Sequence, residues 1–107
     1  MSRRVIMLGV TLLIFGCLAL AADKSTFNGV VSDSHCGAKH SSASDAATGC
    51  VKGCVKGGAS YVLVTSDGKV YQLDNQDKFK DYAGKSVKVT GTANNDSISV
   101  DSVEAAS

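Results

Sequence analysis

The chain has 107 residues, with 11 basic and 10 acidic side chains, a formal net charge of +1, and neither proline nor tryptophan. That length holds one domain. With Arg3 and Arg4 assigned to an N-terminal leader, nine lysines face ten acidic residues, and an arginine-free surface near neutrality excludes the basic footprint that nucleic acid requires.

In chain order the leader comes first. Ser2-Arg3-Arg4 is a positive start, Val5 to Leu20 is apolar, and Ala19-Leu20-Ala21 has the small-x-small pattern of a cleavage site. This predicts a signal peptide over residues 1–21 and a mature domain over 22–107, periplasmic or secreted, with cleavage after Ala21 or at the neighbouring Ala22. The apolar run falls short of the ~20 residues a spanning helix needs, so a membrane is a partner only if the leader is retained or Cys17 is lipidated. Ile14-Phe15-Gly16-Cys17 resembles a lipoprotein lipobox, but Phe15 stands where a small residue is usual and the chain stays apolar after Cys17.

Thr26 to Asp33 reads as a first strand, rich in β-branched and aromatic residues. The polar stretch from Ser34 to Ser44 reads as a loop, and Ser44-Asp45 caps a helix running to about Lys56, stopped by Gly57-Gly58. Cys50, Val51, Cys54 and Val55 share a face of that helix. Tyr61–Thr65 and Lys69–Leu73 form a hairpin about Ser66-Asp67-Gly68. Asp74 to Ala83 is expected to be a short helix capped by Asp74, with Phe79 and Tyr82 on one face and Gly84 closing it. Lys85–Thr92 and Ser97–Val103 alternate as strands about the Asn94-Asn95-Asp96 turn. Val87, Val89, Ile98 and Val100 are expected inside, and Lys88, Thr90, Ser99 and Asp101 outside. The tail from Glu104 is expected to fray.

The expected fold is therefore mostly β: a small five-stranded OB-like barrel or sheet, with one short helix between strands 3 and 4 and a Cys/His-bearing insertion between strands 1 and 2. Barrel closure is left open.

The run from Phe27 through Asp33-Ser34-His35-Cys36-Gly37-Ala38-Lys39-His40, then Cys50-Val51-Lys52-Gly53-Cys54, and the Gly84-Lys85-Ser86-Val87-Lys88-Val89-Thr90-Gly91-Thr92 strand resemble a group of small secreted bacterial domains of uncharacterised function. The resemblance covers nearly all of the mature chain and implies the fold and location, with no activity attached.

Every histidine and cysteine of the mature chain lies between His35 and Cys54. Cys36, His40, Cys50 and Cys54, with His35 as a spare, offer a ligand set for Zn²⁺ or a thiolate-rich site for copper. Cys50 and Cys54, four apart on a helix, can grip one ion. The competing reading is a disulfide from Cys36 to Cys50 or Cys54, which the compartment favours and which leaves one thiol over. Asp33, Ser34 and His35 are adjacent, but neighbours on a strand point to opposite sides, so adjacency does not make a triad. Asn94-Asn95-Asp96 lacks the spaced acidic ligands of a calcium loop. Phe27, Tyr61, Tyr71, Phe79 and Tyr82 are read as core before ligand stacking.

The sequence thus points to a non-enzymatic module that binds a transition metal through its Cys/His cluster. The alternatives are a disulfide-stapled module binding a peptide or saccharide, and a thiol redox enzyme. The last lacks the usual Cys-x-x-Cys at a helix start.

Overall fold

The structure, a computed structural model, describes residues 24–106. The expected signal peptide, its cleavage point and Cys17 lie outside the described residues. Among those described, no helix is long and apolar enough to cross a membrane.

Five strands form one mixed sheet: β1 (Ser25–Asp33), β2 (Tyr61–Thr65), β3 (Val70–Leu73), β4 (Ser86–Asn94) and β5 (Ser97–Ala105). Their order is β1-β2-β3-β5-β4, and β4 pairs back onto β1, so the hydrogen bonds run round a closed ring. β3 and β5 pair in parallel over Gln72↔Ser97 and Leu73↔Ile98, while the other pairs are antiparallel.

Alternation decides what fills the ring. Val87, Val89, Ile98 and Val100 are buried, and Lys88, Ser99 and Asp101 are exposed, as a period of two requires. Thr90 is half-buried, next to a register shift between Thr90 and Gly91 that bends β4. Phe79 is fully buried and plugs the core from the β3–β4 connection. β1 and β2 depart from simple alternation. Val30 to Asp33 and Tyr61 to Val64 are buried without a break. Val31 and Leu63 face the core, while a 3-10 turn at Gly37–Lys39 packs over the same two strands.

The helices differ in detail from expectation. The one α-helix among the described residues, α1 (Asp45–Lys56), lies in the β1–β2 connection, with Ser44 Oγ accepting from Ala47 N at 3.0 Å as its cap. Between β3 and β4 the chain forms a 3-10 helix, Gln76–Tyr82, in place of the expected helix capped by Asp74. The reason is local. Asn75 takes a left-handed φ of 50°, and the Asp74 carboxylate is drawn across to accept from Val100 N at 2.6 Å. With its cap residue pulled onto β5, the segment tightens into i→i+3 bonds, such as Lys78 N to Asn75 O at 3.0 Å. The tail is also more ordered than expected, since Glu104 and Ala105 pair with Lys88 and Val87.

α1 is held on the ring at one narrow point. Thr48 Oγ1 donates to Ala83 O at 2.8 Å, Ser44 N to Gly84 O at 3.3 Å, and Gly84 N to Val31 O at 2.8 Å. Val51 of α1 is fully buried against the core below. This docking sets the height of Cys50 and Cys54 above the end of β1.

Candidate metal centre

The site is assembled from the last residue of β1, the turn that follows it, and one side of α1. Asp33 shares a strand face with Val31 and so points inward, and its side chain is fully buried. Its Oδ2 accepts from His35 N and Cys36 N, both at 2.9 Å, which turns the chain sharply and presents Cys36. Ser34 N donates to Ser60 O at 2.7 Å, and Ser34 Oγ accepts from Ser60 N at 3.0 Å, clamping the turn to the start of β2. Ser32 Oγ donates to Gly37 O at 2.8 Å and pins the far side, where His40 ends the 3-10 turn.

Cys36 is the centre of what results. Its Sγ lies 4.0 Å from Cys50 Sγ, and Cys36, Cys50 and Cys54 are free thiols. Ligand atoms of Cys36, His40 and Cys50 lie within 4.8 Å of one another, and so do those of Asp33, Cys36 and Cys54. The five residues therefore fall into two overlapping sets that share Cys36. The expected quartet of Cys36, His40, Cys50 and Cys54 is gathered in one place, but as parts of these two sets. His35, the expected spare, is exposed and belongs to neither, although it lines a shallow groove with Ser34, Cys54, Gly57 and Ala59.

Asp33 is the member that sequence reasoning missed. Its signal was the strand's own period: a residue two after Val31 faces inward with it, and a buried carboxylate needs a partner. Among the described residues only Asp33 Oδ1 and His40 Nε2 are buried side-chain polar atoms without a hydrogen-bond partner. Both belong to this cluster. Such orphans are rare, and an unseen ion is one recognised reason for them.

The local field holds two thiols protonated. Loss of surrounding water, then the Asp33 charge, then Cys36 push the Cys54 thiol up from 9.0 to about 12. Cys36 is raised as well, first by loss of water, then by Cys50 and the Asp33 charge. Neither thiol is activated for nucleophilic attack, which requires a lowered value. A cation reverses the balance, because it favours the thiolate and neutralises the carboxylate together. A separate surface hollow, which Ser44, Thr48 and Lys85 help to line, contains no thiol or imidazole and is not where this chemistry lies.

The fold and site together define a small ring-closed β domain carrying a thiol, imidazole and carboxylate cluster. By its sequence from residue 52 to 106, the chain belongs to the family described as a protein of unknown function (DUF5818). The match takes in the end of α1 and the strands β2 to β5, and within the cluster it includes Cys54. No curated protein and no solved structure matches the chain.

Proposed function

We propose that this is a secreted or periplasmic, non-enzymatic module, built on an OB-like barrel, that binds a soft or borderline transition ion through its Cys/His cluster. One observation carries the reading: three free thiols and an imidazole converge from two separate segments, and the two buried unpartnered polar atoms fall among them. The donor chemistry selects the ion. Thiolate and imidazole suit Zn²⁺ or Cu⁺, and a single carboxylate is too little for Ca²⁺ or Mg²⁺. The 4.0 Å between Cys36 and Cys50 sulfurs is close to the ~3.8 Å edge of a tetrahedron with bonds of about 2.3 Å. Raised thiol values speak against a thiol redox enzyme, whose attacking cysteine must ionise near neutral pH.

Metal analysis and free-thiol titration on the same non-reduced sample test this. Bound zinc or copper with all three thiols of the mature chain recovered after chelation supports the metal module. No metal, with Cys36 oxidised to Cys50 or Cys54, would leave the stapled interaction module in its place. N-terminal sequencing of the exported protein tests location: a start at Ala22 or Asp23 is expected. Met1 retained would make it a membrane-anchored protein, and an acylated Cys17 a lipoprotein.

A further inference from the structure

We infer that the cluster seats two cations bridged by the Cys36 thiolate, one held by Cys36, His40 and Cys50, the other by Asp33, Cys36 and Cys54. The inference rests on the metal reading above and deepens it.

The first support is geometric. A single tetrahedral ion would draw its ligand atoms into one mutually close group. Instead there are two groups of three, each within 4.8 Å internally, with Cys36 common to both. A thiolate sulfur carries several lone pairs and can bond two metal ions at once, so the shared residue is of the one type here suited to bridging two soft ions.

The second support is the placing of the orphaned atoms. Each group contains a residue that carries one: His40, with its Nε2, in the first and Asp33, with its Oδ1, in the second. Asp33 is fully buried, and its other oxygen already serves the turn by accepting from His35 N and Cys36 N. The turn therefore accounts for Oδ2 and leaves Oδ1 without a role. An ion bound only by His40, Cys36 and Cys50 would still leave that oxygen desolvated and unpartnered, at the usual penalty for such a group.

Charge points the same way. Three thiolates and a carboxylate carry four negative charges, which two divalent ions neutralise. One divalent ion leaves two negative charges in a partly buried cluster, or else leaves thiols protonated and outside the coordination. Each seat has three protein ligands, so each keeps an open position. Cys54 of the second seat lines a groove together with the exposed His35, which belongs to neither ligand group.

The test is titration of the reduced, oxygen-free protein with Co²⁺, followed by native mass spectrometry, sulfur-to-cobalt charge-transfer absorption and electron paramagnetic resonance. Two equivalents are expected. The resonance signal should grow with the first and fall as the second binds, because thiolate-bridged Co²⁺ ions couple antiferromagnetically. Cys54→Ser and His40→Gln should each reduce the stoichiometry from two to one and abolish the loss of signal. Asp33→Asn should do the same as Cys54→Ser, and Cys54→Ser serves alone if the buried asparagine does not fold. One equivalent in the unaltered protein, with no coupling, would overturn the two-ion inference and leave the one-ion module standing. Two equivalents surviving in Cys54→Ser would overturn the second seat. No bound cobalt at all would overturn the two-ion inference, and the metal reading falls with it if the same reduced protein also binds neither Zn²⁺ nor Cu⁺.

Discussion

Gly84 is the point where the helix carrying Cys50 and Cys54 meets the ring, and replacing it tests how the site is held. In Gly84→Ala two costs combine. The residue has φ +71°, in the left-handed region, where alanine is disfavoured by about 1–2 kcal/mol. The added Cβ would also sit 2.5 Å from Thr48 Cα and 2.7 Å from Ala47 C, which are helix backbone and cannot swing aside. Forcing a methyl into such a contact costs about 1–3 kcal/mol further. Gly68 supplies the control, since its φ is +84° but a Cβ there meets nothing within 4 Å. Urea denaturation should place Gly84→Ala about 2–5 kcal/mol below the parent and Gly68→Ala only about 1–2 kcal/mol below it. In a domain of this size the first should lower Tm by more than about 10 °C. Alkylation of Cys54 should also quicken in Gly84→Ala alone, because displacing α1 opens the cluster to water. Equal destabilisation by the two substitutions would refute the docking argument.

Three further outcomes follow from the packing and the site. Val89→Ala, at a fully buried position, should cost about 1–3 kcal/mol, whereas exposed Lys88→Ala should stay within about 0.5 kcal/mol; equal losses in thermal unfolding would mean the β4 register is wrong. In the metal-free reduced protein at pH 8, exposed Cys50 should react with iodoacetamide at least about tenfold faster than Cys54, whose value of about 12 leaves little thiolate until the pH rises. Peptide mapping that finds Cys54 modified as fast as Cys50 would remove the desolvated, Asp33-facing position assigned to it. Gly53→Ala, on a side of α1 where a Cβ meets nothing within 4 Å, should raise stability by about 1 kcal/mol in chemical denaturation, and a loss would show that this side is packed.

The strands were legible because their signals are local. Tyr61–Thr65 was bounded by turn chemistry on one side and Gly57-Gly58 on the other, and its span agrees with β2 residue for residue. Ser44 and Gly57 bracket α1 for the same reason. The 3-10 form of Gln76–Tyr82 was not legible, because it depends on Asp74 reaching Val100, a residue distant in sequence. The parallel contact of β3 with β5 is likewise a long-range event that no local pattern announces.

In the site, crowding of the cysteines and histidines showed in the sequence, but the division into two sets did not. That division depends on how the turn after Asp33 aims Cys36 and on how α1 is seated by Gly84. As a sequence neighbour of Ser34 and His35, Asp33 suggests only a triad that adjacency does not make. The strand's alternation places it beside Val31 on the inner face, and the need to compensate a buried carboxylate is the signal that marks it as a ligand.

The ring is closed by its shortest pairing. β3 meets β5 through two residue pairs, and beyond them side chains take over the work of a ladder. Asp74 accepts from Val100 N at 2.6 Å, and Asn75 Nδ2 donates to Val100 O at 2.8 Å. A junction with so few amide bonds is where transient opening starts, and amide hydrogen exchange at Ile98 and Val100 should outpace that at the buried residues of β4. Each opening exposes two unsatisfied strand edges on the same molecule. At high concentration those edges can pair with the edges of another opened copy, exchanging strands between chains. The polar side chains of Asp74 and Asn75 thus latch the ring shut, and their loss should appear first as slow, concentration-dependent dimer formation before any fall in melting temperature.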